Sequence, residues 1–579
     1  RLPSMRTLPC SSVLLLCLAA CGDSGGGTAT LGGTGTSVSA SATATNGSSG
    51  ASDTAEQPTG SGTSASGSGS ASETMATSDA TSAGVTASGS ETMGTKFDLP
   101  MNGTDTGGDT GGMIDKCKAN EEGNGFGDCT MKAPPDAFEP DVQWSWNGPG
   151  AEKESLVTPL VANLTDDNAD GVIDLCDVPD IVVTVTAFPN EGHIYVLDGA
   201  TGSLHFMIPT AITWSINPAI GDIDADGMPE IVAAVGPGFG GPSRAIAFEH
   251  DGTVKWTNQT GIPHSQGGAI TLADLDNDGD VEISMDKLII DHMGNTIVTL
   301  PEGQYADNFT TVAADLDGDM DLEIVIGPNA YHHDGTPLFS NPGLERGFAQ
   351  VADLDGDMLP EVLISSYNGL TMLEHTGAVK FQNLKPGGGQ SWFRPATVHD
   401  FDGDQVSEMA ASASNVYSVM EGDGSIVWSA PVQDASGWAA GTAFDFDGNG
   451  VAEAMYADET NLFVFDGAGK PLLSVPRSAR TLAEYPVVAD VDNDGSAEII
   501  VVSDAGFANN QTAPTVQVIR DVQDRWIQAR RIWNQHTYHV TNVREDGVIP
   551  QFEKPWWTTL NTFRTNSQIE GGEVCIPPQ

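Results

Sequence analysis

The chain has 579 residues, with 79 acidic side chains against 24 basic ones and a formal charge of −55. Such acidity excludes a nucleic-acid binder, which needs a basic footprint, and points to solubility or metal binding. At this length several ordinary domains would fit, but the internal repetition described below argues for one large array.

The first segment, residues 1–21, runs from Met5-Arg6 through an apolar stretch at Val13 to Ala20 and ends in Leu18-Ala19-Ala20-Cys21-Gly22. The apolar part is too short to span a bilayer and reads as a secretory signal. Its ending resembles the bacterial lipoprotein signal, which implies lipidation of Cys21 and anchoring at the outer membrane or cell surface. Residues 22–113 collapse to Gly, Ser, Thr and Ala, with Phe97 the only aromatic residue and Lys96 the only cation. No core can form from that composition, so a disordered tether is expected.

Residues 114–140 form a small cysteine-containing segment. Cys117, Cys129, Cys176 and Cys575 are the cysteines beyond Cys21, an even number in an exported domain, and predict two disulfides with three possible pairings. Proximity favours Cys117–Cys129, and elimination then gives Cys176–Cys575.

From Asp166 to Glu498 an acidic loop recurs eight times, its starts 38 to 56 residues apart. Seven copies place acids or amides at positions 1, 3, 5 and 9. They are Asp222, Asp224, Asp226, Glu230; Asp274, Asp276, Asp278, Glu282; and Asp315, Asp317, Asp319, Glu323. The next four are Asp353, Asp355, Asp357, Glu361; Asp400, Asp402, Asp404, Glu408; Asp445, Asp447, Asn449, Glu453; and Asp490, Asp492, Asp494, Glu498. The first copy is a more EF-like variant with Asp166, Asn168, Asp170, Asp174 and Asp177 at positions 1, 3, 5, 9 and 12. Short carboxylates alternating along a tight turn aim their oxygens at one centre, and hard oxygen donors in that number favour Ca²⁺. A glycine at position 4 or 6 permits the turn; Met320, Met358 and Gln405 replace it at position 6 in copies that keep it at position 4. Structural sites of about 10⁻⁴–10⁻³ M affinity are expected.

An apolar run precedes each loop and a β-rich run follows it. A second hairpin then turns at a glycine, as in Asp251-Gly252, Asp334-Gly335 and Asp423-Gly424. Four strands per copy predict an all-β chain, an eight-bladed propeller over residues 141–545 followed by a C-terminal strap over 546–579. Seven blades is the alternative, and Gln143-Trp144-Ser145-Trp146-Asn147 is a candidate ring-closing strand.

These repeats resemble the FG-GAP, or VCBS-type, repeats of integrin alpha-subunit propellers and of many secreted bacterial proteins. Gly347-Phe-Ala-Gln-Val-Ala-Asp353-Leu-Asp-Gly-Asp357 is similar to the family's loop, and Gly236-Pro237 and Gly327-Pro328 fall near its Gly-Ala-Pro. The resemblance implies a calcium-bearing propeller that serves as a platform for an extracellular protein or glycan. There is no Arg-Gly-Asp motif, so it does not supply the ligand.

No Ser-His-Asp order, nucleophile elbow or His-Glu-x-x-His motif is present, and no catalytic residue is nominated. The stretch Arg530-Arg531-Ile-Trp533-Asn534-Gln535-His536-Thr-Tyr538-His539, with Trp556-Trp557, has two readings. It is either a strap packing aromatics over the ring or a sugar-binding or catalytic surface. His332-His333-Asp334 reads as a solvent-facing turn. The expected function is non-catalytic binding or adhesion by a lipid-anchored propeller. The alternatives are a calcium-dependent polysaccharide lyase and a structural envelope protein.

Overall fold

The computed structural model describes residues 117–119, 125–135, 137–237, 241–263, 267–301, 310–388, 392–435, 438–504 and 513–576. All belong to the second of the chain's two compact units, Ser90–Gln579. The signal, Cys21 and the Gly/Ser/Thr/Ala-rich segment lie outside the described residues.

Among the described residues the chain is all-β, with eight four-stranded antiparallel sheets built like propeller blades. Blade one comprises Leu160–Ala162, Asp180–Thr186, Gly192–Asp198 and Leu204–Ile212. Blade two comprises Ala219–Gly221, Glu230–Val235, Arg244–Phe248 and Val254–Thr257. Blades three to seven begin at Ile270, Thr311, Phe348, Thr397 and Gly441 and repeat the same order.

Blade eight takes Val487–Ala489, Glu498–Val502 and Val516–Asp521 from the end of the array and its outer strand, Pro140–Trp146, from the beginning. Val142 pairs with Ile519 and Trp144 with Val518, so the candidate closing strand joins the two ends of the array in one sheet. Residue pattern explains the layering. The first two strands of every blade are buried along their length and are nearly continuous apolar runs, such as Glu498–Val502. The outer strand alternates half-buried and exposed residues, as in Thr296–Thr299.

The last blade strand ends at Asp521, so the strap begins there and not at residue 546. It runs back along the inner strands. Val161 bridges Trp533, Val398 bridges Phe563, and Asp222 bridges Val548. Thr442 Oγ1 donates to the Arg564 carbonyl at 2.8 Å, and Asn566 Nδ2 to the Val488 carbonyl at 2.8 Å. The strap therefore fills the centre of the ring with its own backbone and side chains. Arg530, Trp533, Asn534, Gln535, His536, Tyr538 and His539 are all 1% exposed or less. That burial corresponds to the packing reading of this stretch.

The disulfides differ from the expected Cys117–Cys129 and Cys176–Cys575. Cys117 joins Cys176, and Cys129 joins Cys575. The reason is strand pairing. Phe126–Asp128 runs parallel to Glu573–Ile576 with Gly127 opposite Cys575, which carries Cys129 away from Cys117. Cys117 meets Cys176 because its carbonyl accepts the Leu175 N–H at 3.0 Å.

Candidate metal centres

Each acidic loop joins the first strand of a blade to the second, so all eight open on the same end of the array. Three hydrogen bonds build the loop, and they recur with little variation. The position-1 aspartate accepts the N–H of position 6 in every copy, at 2.9 Å in Asp274–Gly279 and 2.7 Å in Asp445–Gly450. The position-5 side chain accepts the N–H of position 7, as in Asp226–Met228 and Asn449–Val451. Oε2 of the position-9 glutamate accepts the N–H of position 2, as in Glu408–Phe401 at 2.7 Å and Glu498–Val491 at 2.9 Å. In most copies the second oxygen of the position-1 aspartate also accepts a backbone N–H, as Asp315 Oδ1 does from Gly318 at 2.7 Å, so the loop backbone fixes these carboxylates closely.

The backbone demands more than the glycine rule anticipates. Positions 4 and 6 both take the left-handed conformation in all eight copies. Where glycine fills one of them, the other is usually Ala225 (φ 58°), Asn277 (φ 58°), Met320 (φ 80°), Met358 (φ 68°), Gln405 (φ 72°) or Asn493 (φ 59°). A bulky side chain there holds a strained backbone, and the loop as a whole supplies the constraint.

The donor geometry fits a hard divalent ion. One oxygen from each of Asp400, Asp402, Asp404 and Glu408 lies within 4.8 Å of all the others. Four oxygens each about 2.4 Å from one ion could be no further apart than about twice that distance. Five carboxylate oxygens of these loops are buried without a hydrogen-bond partner: Asp274 Oδ1, Asp276 Oδ1, Glu408 Oε1, Asp490 Oδ1 and Glu498 Oε1. Glu408, Asp490 and Glu498 are fully buried. Burial raises the Glu282 and Glu408 carboxyls to about 8 and Asp490 to about 8, with neighbouring aspartates of the same loop adding to the rise. Glu498 is pushed well above the ordinary range for the same reasons. A carboxylate cluster so desolvated needs a counter-charge or protons.

Blade one carries a further acid that the loop spacing did not nominate. Its inner strand pairs Ala162 with Asp180, the register that pairs Ala273 with Glu282 elsewhere. Asp180 Oδ2 accepts the Leu164 N–H at 2.9 Å, the bond made by the closing glutamate in other blades. Asp180, and not Asp174, is therefore the in-register acid, and burial raises it to about 8. The segment from Asp166 to Asp177 is a separate inserted loop. Asp177 closes it by accepting the N–H groups of Asp167, Asn168 and Asp174. The signal that would have found Asp180 is its place as the first residue of the second strand. His332 is less solvent-facing than its turn suggests, with Nδ1 2.9 Å from Glu323 Oε1.

Residues 222–284, covering the loops of blades two and three, match the family model described as an FG-GAP-like repeat. No curated protein matches the sequence significantly. Among solved structures, the fold resembles the Vibrio cholerae biofilm matrix protein Bap1, with a TM-score of 0.65 and 21% identity over 76% of this chain and 100% of that one. It is also similar to a Bacillus licheniformis rhamnogalacturonan lyase at a TM-score of 0.44 and 16% identity, over 68% of this chain and 76% of that one. Residues 222–284 thus carry an FG-GAP-like repeat within a β-propeller fold.

Proposed function

We propose that this chain is a calcium-stabilised propeller, exported and held at the cell surface through Cys21, that binds an extracellular protein or glycan without transforming it. The observation that carries the calcium assignment is the set of buried, unpartnered carboxylate oxygens in the loops. When bound, the ion supplies the positive charge that these oxygens lack. The chain's own residues fix the donor positions through backbone hydrogen bonds. Two disulfides suit an oxidising compartment.

The end of the array away from the acidic loops offers the contact surface. Second and third strands connect there, and that turn in blade five exposes Tyr367, stacked on Phe393 at 3.8 Å with 12° between the rings. More than half of Tyr367 is open to solvent. In blade one the same turn places Phe188 beside Trp214 at 5.0 Å, under the Arg480 guanidinium at 4.1 Å. The exposed, flat Tyr367 ring suits stacking against a sugar ring or a protein side chain.

The test is binding of the full-length protein to glycan and protein arrays, with calcium and after EGTA. The expected result is retention of a ligand that weakens on Tyr367→Ala. Eliminative cleavage of an acidic polysaccharide would overturn the non-catalytic reading. Failure to bind any calcium would overturn the metal assignment.

A further inference from the structure

In two of the eight loops a lysine ammonium already bonds the carboxylates at positions 3 and 9. Lys255 Nζ donates to Asp224 Oδ2 at 2.6 Å and to Glu230 Oε1 at 3.1 Å, the carboxylates at positions 3 and 9 of its blade's loop. It also reaches Glu249 on the hairpin at 3.2 Å. In blade five Lys380 Nζ makes the same set, to Asp355 Oδ2, to Glu361 Oε1 at 2.9 Å and to Glu374 at 3.5 Å. The oxygen that each lysine holds is the one that is orphaned in blades six and eight, Glu408 Oε1 and Glu498 Oε1.

Both lysines occupy one structural position, the third residue after the left-handed hairpin glycine, on the outer strand. Lys255 follows Gly252 and Lys380 follows Gly377. The same position holds Ile297 in blade three, Val427 in blade six and Leu472 in blade seven. In blade eight the outer strand comes from the N-terminal side, and Gln143 Nε2 donates to Asp492 Oδ2 at 2.6 Å, a neutral group on the position-3 carboxylate. Arg531 also meets that loop, its Nη1 donating to Asn493 Oδ1 at 3.2 Å, but Glu498 Oε1 still lacks a partner. Blade four has Leu338 there, with His332 from the hairpin beside Glu323.

We infer that this outer-strand residue decides which loops take a divalent ion: lysine neutralises blades two and five internally, whereas the aliphatic or amide residue in blades three, six, seven and eight leaves the loop to the metal. An ion about 2.4 Å from the carboxylate oxygens would lie within a few ångströms of the ammonium already bonded to two of them. Like charges at that separation repel strongly, so ammonium and ion compete for one place. The lysines thus fix the calcium load below the number of acidic loops. This inference rests on the reading that the loops bind calcium.

The test counts calcium per chain on the full-length protein, by elemental analysis after equilibration at saturating Ca²⁺ and gel filtration. Lys255→Leu and Lys380→Leu are each expected to add one ion and to make the melting temperature more sensitive to EGTA. Val427→Lys, in a blade whose Glu421 matches the hairpin position of Glu249 and Glu374, is expected to lose one. Should a leucine variant fail to fold, Lys255→Gln, which imitates Gln143, is expected to gain the ion. Unchanged counts in the folded variants, with calcium present in the unmodified chain, would overturn the lysine assignment alone. A chain with no calcium at all would overturn the underlying metal reading instead.

Discussion

Val161 and Trp533 exchange a pair of backbone hydrogen bonds, 3.0 and 2.9 Å long, across the centre of the ring. The inner strand of blade one is thereby paired with a segment from beyond the last blade. Such a strap must satisfy its own polar groups in the dry interior.

Arg530 is the clearest case. Its guanidinium donates to Tyr538 Oη at 2.9 Å and to the carbonyls of Val540 at 2.7 Å and Val543 at 2.5 Å. Arg530→Met would remove three charge-assisted hydrogen bonds from a fully buried site. A loss of about 3 kcal/mol is expected from urea unfolding monitored by tryptophan fluorescence.

The strained loop positions give a prediction of opposite sign. Met320, Met358 and Gln405 hold left-handed backbone, and the equivalent Gly171 and Gly227 have open space where a Cβ would stand. Backbone strain, and not packing, therefore sets the penalty. Glycine at each of the three is expected to stabilise by about 1 kcal/mol, read as a raised melting temperature at fixed calcium.

The buried closing acids predict a pH dependence that calcium should reverse. Burial, reinforced by neighbouring aspartates, raises Glu282 and Glu408 from the ordinary 4.5 to about 8 in the folded chain. Between those limits the folded metal-free protein holds more protons than the unfolded chain. Its stability in EGTA should then be fullest below about pH 4.5 as far as these groups are concerned, and fall as pH rises towards 8. Calcium affinity should rise over the same window, because protons and ion compete for the same oxygens. Thermal melts at pH 5, 6, 7 and 8 with and without Ca²⁺ (about 1 mM, the weak end of the affinity expected above) check both slopes.

Cys129 and Cys575 join segments 446 residues apart in sequence. Cys129→Ser is expected to lower stability by about 2–4 kcal/mol, mainly by releasing the unfolded chain. Non-reducing peptide mapping should recover Cys117 with Cys176 and Cys129 with Cys575. Recovery of a Cys117–Cys129 peptide would contradict the strand pairing between Phe126–Asp128 and Glu573–Ile576.

The acidic loops were legible because in seven copies their acids lie within nine consecutive positions, and local backbone hydrogen bonds place them. The four-strand grammar was equally local, since hairpins pair neighbours in the chain. Blade one hid a further acid: Asp174 and Asp177 belong to the EF-like loop, while Asp180 stands in the strand register, and only the pairing with Ala162 reveals it.

By itself, then, the sequence determined the repeating unit: apolar strand, acidic turn, apolar strand, hairpin. Alternation and short-range hydrogen bonding specify each of these within a few residues. Tertiary structure alone decided the partners chosen across long separations. It set Cys129 against Cys575, Pro140–Trp146 in the last blade, Arg530 inside the ring, and Lys255 within reach of Asp224. Those contacts depend on how a closed array returns distant segments to one place, and no spacing rule along the chain encodes that return.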